Sequence, residues 1–271
     1  MKNDEYIKIE PNIYLHIRDW GQGKPIVFIP GWPLSHEMYE YQFNQLPRRE
    51  YRCIGITMRG FGKSSKPWGE YNYDVFADDI GKVIEALDLR DVTLAGHSMG
   101  GAISLHYVAR QKNERVSKLA LFGAAAPSFT KRDGFPYGLE PEAVDGFIES
   151  CRADRAKLNE DFGKIFFLSE NAVSQKLGMW FHNMGMEASP HATEACLIAL
   201  RDSDLRDDLA QVKVPTAISH STHDKICPFE LAEAMASGIK GAELIRFEKS
   251  GHGLFYEEKE KFNEMIVNFV G

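Results

Sequence analysis

Val92-Thr93-Leu94-Ala95-Gly96-His97-Ser98-Met99-Gly100-Gly101-Ala102 decides how this chain reads. A short apolar run leads into Gly-x-Ser-x-Gly, and a helical pattern from Met99 to Gln111 follows it. A serine between a buried strand and a helix sits on a turn so sharp that side chains two positions to either side would collide with it. Gly96 and Gly100 are therefore steric requirements, and the turn lifts the Ser98 hydroxyl above the carboxyl edge of a sheet. It also places Ser98 at a helix N-terminus, where free N–H groups stabilise developing negative charge. His97, inside the motif, is expected to point away from the nucleophile and to be structural.

Outward from this turn, short apolar runs alternate with helical patterns, the signature of a largely parallel sheet covered by helices. Tyr14–Arg18, Ile26–Ile29, Arg52–Thr57, Val92–Ala95 and Lys118–Phe122 read as strands. Tyr73–Leu87 reads as a helix with Tyr73, Phe76, Ile80, Val83, Ile84 and Leu87 on one apolar stripe. From about residue 126 to 209 the strand signals vanish. Alternation resumes with strands Thr216–His220 and Ala242–Phe247, and with helices Phe229–Ser237 and Glu257–Phe269. The expected architecture is an α/β core over 1–125 and 210–271, with 126–209 as a helical lid inserted after the sixth strand.

A serine hydroxyl is a poor nucleophile until a base takes its proton, and a third group must hold that base in the right tautomer. On a strand–turn–helix elbow of this kind the partners follow in the order serine, acid, histidine. Lys249-Ser250-Gly251-His252-Gly253 puts a glycine-flanked histidine on the loop before the last helix, so His252 is the candidate base. His220 and His223 compete with it, and His182 and His191 in the lid are weaker candidates. The strand ending at Phe122 is followed by Gly123-Ala124-Ala125-Ala126, which carries no carboxylate. The strand ending at His220 is followed by a loop containing Asp224, which becomes the acid by elimination. Acyl transfer also needs two N–H donors for the tetrahedral oxyanion. The amides of Met99, after the nucleophile, and of Trp32, in Pro30-Gly31-Trp32-Pro33-Leu34, are the candidates. Pro33 biases Trp32 toward an extended backbone.

Composition narrows the function classes. The 271 residues are 44% hydrophobic and 26% charged, enough apolar material for a full core and unlike a disordered chain. The formal net charge of -7 argues against nucleic acid, which needs a basic stripe to neutralise phosphates. The charged opening MKNDEYIKIE lacks the apolar centre of a secretory signal, and no apolar run is long enough to span a bilayer. Four scattered cysteines without a C-x-x-C pair read as free thiols in a reducing cytoplasm. No metal-ligand spacing such as H-E-x-x-H and no phosphate-cradling loop occurs, so no cofactor is expected. The expected partner is a small ester, with no nucleic acid and no membrane; monomer and homo-oligomer are not distinguished.

Further segments narrow the reading: Gly31-Trp32-Pro33-Leu34-Ser35, Tyr39-Glu40-Tyr41-Gln42, Arg59-Gly60-Phe61-Gly62-Lys63-Ser64, Lys66-Pro67-Trp68 and Tyr73 to Ile80. Together with Gly96–Gly101, Asp224 and Ser250–Gly253 they make the chain resemble the cofactor-free haloperoxidase and aryl esterase branch of the α/β-hydrolases over nearly its whole length. The resemblance implies a serine esterase for aryl and short-chain acyl esters. It also implies a perhydrolase side activity, in which hydrogen peroxide replaces water and a peracid forms. It lines the acyl pocket with Trp32, Met99, Phe129, Phe147, Phe162, Phe166, Ile226 and Phe229. Three positions depart from the family pattern: Pro30 replaces a usual histidine, Thr57 a usual aspartate, and Ser221 a usual glycine.

Rival readings share much of this. A lactonase or amidase would use every residue named, and only a substrate panel separates them. A haloalkane dehalogenase would carry aspartate in place of Ser98. A slow-turnover receptor on the same fold would keep the triad without fast turnover on a simple aryl acetate.

Overall fold

Strands covered on both faces by helices must be apolar on both faces, and this explains the continuous runs at the centre of the chain. Val92–His97 and Thr216–Ser221 are buried at every position. The computed structural model describes residues 5–110, 115–169 and 172–271; Gln111 and the first residues of the N-terminal run lie outside them. Its strands are β1 (Tyr6–Glu10), β2 (Ile13–Trp20), β3 (Lys24–Ile29), β4 (Tyr51–Ile56), β5 (Val92–His97), β6 (Val116–Phe122), β7 (Thr216–Ser221) and β8 (Glu243–Phe247). They form one eight-stranded sheet in the order β1-β2-β4-β3-β5-β6-β7-β8. The β1–β2 and β2–β4 pairs are antiparallel, and every pair from β4 to β8 is parallel. This is the expected α/β architecture, and the strand order turns at β3.

The helices are α1 (Glu40–Gln45), α2 (Tyr73–Ala86), α3 (Met99–Arg110), α4 (Pro141–Phe166), α5 (Gln175–Met186), α6 (Pro190–Asp202), α7 (Arg206–Leu209), α8 (Phe229–Gly238), α9 (Leu254–Glu257) and α10 (Lys259–Val270). Asn72 caps α2 by accepting from the Val75 amide, and the stripe from Tyr73 to Ile84 is buried as its 3.6-residue period requires. That stripe also buries Asp79, whose carboxylate takes a bidentate pair from Arg59 at 2.6 and 2.5 Å.

Two elements differ from the sequence expectation. β1 was not anticipated: it is an edge strand with one partner and a mostly half-buried pattern, so its charges at Lys8 and Glu10 mask the alternation. Asn12, at a φ of 64°, makes the tight turn that folds it onto β2. α4, between β6 and β7, is long but broken: Asp154 has non-helical angles, and its carboxylate accepts from the Lys157 amide at 2.9 Å. The second half of α4 is thereby capped as a helix of its own.

Candidate active site

Ser98 sits between β5 and α3 at a φ of 55°, a left-handed conformation costly for a side chain larger than glycine. Four backbone hydrogen bonds hold it: its amide donates to Phe122, and its carbonyl accepts from Gly101, Ala102 and Ala125. A Cβ on Gly96 would lie 2.4 Å from the Gly100 carbonyl oxygen and 2.5 Å from Ser104 Oγ. A Cβ on Gly100 would lie 2.3 Å from the Pro30 carbonyl oxygen. The close approach of three chain segments is what demands both glycines. Burial pushes the nearby Cys227 thiol well above its ordinary value, so it stays protonated.

Asp224 follows β7 and His252 lies between β8 and α9, both at the carboxyl edge of the parallel strands, where such sheets place their sites. Asp224 Oδ1 accepts from the amides of Ile226 at 2.8 Å and Cys227 at 2.9 Å. Its Oδ2 lies 2.6 Å from His252 Nδ1, and neither side chain is exposed. Burial pushes the Asp224 carboxyl up, but the charge and hydrogen bond of His252, with His220 and the Cys227 amide, outweigh it and leave it below its usual value. An ionised carboxylate at Nδ1 fixes the proton there and leaves Nε2 with the lone pair. His252 Nε2 is buried and has no hydrogen-bond partner among the described residues.

Several contacts aim this ring. His97 Nε2 donates to the His252 carbonyl at 2.9 Å; burial drives His97 well below the ordinary histidine value, so it acts as a neutral strut, as its place in the motif suggested. Ser221 Oγ donates to the Ser250 carbonyl and accepts from the His223 amide, so the Ser221 departure joins the acid loop to the histidine loop. The half-buried Glu257 carboxylate accepts from the amides of Gly251 and Leu168, both at 2.8 Å, linking that loop to the end of α4. Phe166 lays its ring edge-on against His252 at 5.3 Å. The competing histidines are occupied otherwise: His220 donates to the Cys227 carbonyl, and His223 lies on the exposed acid loop beside Thr222. At Thr57, the second departure, Oγ1 hydrogen-bonds the buried His36 ring and its amide.

Trp32 is pinned on the opposite side, its indole N–H donating to the Thr193 carbonyl at 3.1 Å and its ring edge-on to Phe162 at 5.2 Å. The Trp32–Pro33 peptide is cis. No acceptor among the described residues takes the Trp32 amide, and Met99 opens α3, so its amide is one of the helix's unsatisfied donors.

Trp32, Ser98, Phe129, Phe147, Phe162 and Ile226 line one cavity of about 340 Å³. Met99, Phe166 and Phe229 do not line it: Met99 is buried in α3, Phe166 turns to His252, and Phe229 packs against His220. The rest of the wall is not among the residues expected from the sequence: it is the aliphatic Leu139, Ala143, Leu158, Ile165, Leu197 and Leu200, with the charged Asp161 and Lys225. Leu158, Phe162 and Ile165 follow the helical spacing of one face, which was the available signal. Among the described residues no group of three or more His, Cys, Asp or Glu side chains could hold a metal ion, all four cysteines are free and buried, and no helix is long and apolar enough to cross a membrane.

The family model for the alpha/beta hydrolase fold matches residues 24–259, across both sheet halves and the helical insertion. The chain is an α/β-hydrolase. It is 51% identical over 97% of its length, and 98% of the relative's, to the AB hydrolase superfamily protein YisY of Bacillus subtilis (strain 168). Non-heme chloroperoxidase CPO-A1 of Kitasatospora aureofaciens is 34% identical over 95% of this chain and 96% of its own. Among solved structures, the esterase EaEST from Exiguobacterium antarcticum superposes with a TM-score of 0.95 at 46% identity, covering 98% of each chain. This α/β-hydrolase therefore has both esterase and non-heme haloperoxidase relatives, as the sequence resemblance implied.

Proposed function

We propose that this α/β-hydrolase cleaves small acyl and aryl carboxylic esters through an acyl-enzyme on Ser98. The reading rests chiefly on the unexposed Asp224–His252 pair at 2.6 Å, which leaves His252 Nε2 without a partner among the described residues, at the same carboxyl edge of the sheet as the strained Ser98. In the proposed reaction, His252 Nε2 takes the Ser98 proton as Oγ attacks the ester carbon. The oxyanion is held by the amides of Trp32 and Met99, two donors without an acceptor among the described residues. The imidazolium, held by Asp224, returns its proton to the leaving alcohol, and an acyl ester on Ser98 remains. Water, deprotonated by the same nitrogen, then releases the carboxylic acid. Hydrogen peroxide in place of water would release a peracid and regenerate Ser98; the chloroperoxidase relative favours this second outcome.

A cavity of about 340 Å³ lies near the lower end of small-molecule sites, which suits a short or aryl acyl group. Residues 126–209 act as the lid in this reading, over a core of 1–125 and 210–271. The test is a hydrolysis screen across acyl chain lengths, aryl esters and lactones, with Ser98→Ala as control. Turnover should fall by about 10⁶ in that variant, and a sulfonyl fluoride should label Ser98 alone. Labelling of another serine, or slow single turnover on aryl acetates, would refute the proposal.

A further inference from the structure

The cavity wall carries two charged residues, Asp161 and Lys225, and both are solvent-exposed. They are not equivalent. The Asp161 carboxylate already accepts from Lys157 and from Lys164, the latter at 2.9 Å, and these cations hold its carboxyl below the ordinary value. Lys225 makes no hydrogen bond or ion pair among the described residues. Its neighbour Asp224 cannot partner it, because that carboxylate faces inward and is occupied by two backbone amides and His252. The bond from the Ile226 amide to Asp224 Oδ1 also holds the backbone on either side of Lys225, so the base of the stem is fixed while the ammonium is free. Among the described residues, Lys225 is therefore the unneutralised cation of a largely apolar cavity that Ser98 also lines.

We propose that Lys225 makes this site selective for esters with an apolar body and a carboxylate at the end away from the scissile bond. The inference rests on the ester-hydrolase reading above and narrows its substrate class. The ester carbonyl sits at Ser98, the hydrocarbon body lies against Phe129, Phe147 and Leu197, and the distal carboxylate meets the Lys225 ammonium. A lysine suits this role because its point charge on a flexible stem can follow carboxylates presented at somewhat different depths.

The experiment measures kcat/KM for a series of monoethyl dicarboxylates of increasing length, each against the neutral ethyl ester of equal length. The readout is the ratio of charged to neutral substrate. Replacing Lys225 with Met should lower that ratio about fivefold at the preferred length, the scale of an exposed ion pair. The loss should fall mainly on KM, as for an interaction made equally in ground and transition states. Lys225→Glu should lower the ratio further, Lys225→Arg should restore it, and added salt should shrink it in the wild type. Equal ratios in wild type and Lys225→Met at low salt, at every length, would overturn the inference while leaving the esterase reading standing. Failure of the wild type to cleave any neutral ester would instead overturn that reading, and this inference with it.

Discussion

Replacing Asp224 with Asn tests the proposed chemistry at the point where the structure constrains it most. Oδ1 accepts two backbone amides, at 2.8 and 2.9 Å, while Oδ2 faces His252 Nδ1 at 2.6 Å. An asparagine must choose which site receives its oxygen. Turning its NH₂ toward the Ile226 and Cys227 amides would strand two buried donors, at about 1–3 kcal/mol each. Turning it toward His252 sets one donor against Nδ1–H, and the ring escapes by moving its proton to Nε2. The second arrangement wins, and it removes the lone pair that must accept the Ser98 proton. The same change in a serine protease triad, with geometry intact, lowers turnover by about 10⁴. At 1.36 kcal/mol per decade that is about 5.4 kcal/mol of lost transition-state stabilisation. The assay is steady-state hydrolysis of an aryl acetate alongside thermal unfolding of both proteins. A loss near 10⁴ with an unchanged Tm is the expected result. Activity within tenfold of wild type in a folded variant would refute the tautomer argument and Asp224 as the acid.

The buried Asp79 carboxylate has no exposure and is paired bidentately by Arg59, so Asp79→Ala leaves a largely buried guanidinium and should cost about 3–5 kcal/mol. In a protein of this size that lowers Tm by roughly 10 °C; a shift under a third of that would show that Glu10 alone compensates Arg59. His106 bridges Asp208 at 2.6 Å and Asp74 at 3.1 Å; burial lowers its affinity for a proton, but the two carboxylates outweigh burial and raise its pKa. Its contribution is therefore fully present below the unfolded histidine value of about 6.5 and fades as pH rises through the folded value. Denaturant titrations of wild type and His106→Gln should differ most in acid and converge on the alkaline side; a constant difference would disprove the linkage. Gly100→Ala forces a Cβ to within 2.3 Å of the Pro30 carbonyl oxygen, so it should lower both Tm and esterase turnover. An active variant of unchanged Tm would show that the elbow relaxes at little cost.

The elbow was legible because steric exclusion leaves a local mark. A Cβ at either position would lie 2.3–2.4 Å from a backbone oxygen, so only glycine fits, and Gly96 and Gly100 announce the turn in the sequence itself. His252 and Asp224 were legible through chain order, since each stands on a loop after a recognisable strand. The cavity was legible in part. Trp32, Phe129, Phe147, Phe162 and Ile226 converge on it, whereas Phe166, four residues from Phe162, turns to the His252 ring. Helical spacing gave both phenylalanines one face, but the packing of α4 against the histidine loop divides that face between two tasks.

What the sequence alone determined is whatever depends on near neighbours in the chain. The strand–turn–helix around Ser98, the apolar stripe of α2, and the runs that become a parallel sheet follow from sterics and periodicity within a few residues. Only the tertiary structure decided how distant segments meet. Ser221 holds the loop of Ser250, and Glu257 joins Gly251 to Leu168. The unpaired charge of Lys225 in the same cavity wall as a satisfied Asp161 was equally invisible in one dimension. Ser221 and Ser250 are 29 positions apart and Glu257 and Leu168 are 89 apart, and a linear pattern carries no record of which partner each polar group finds.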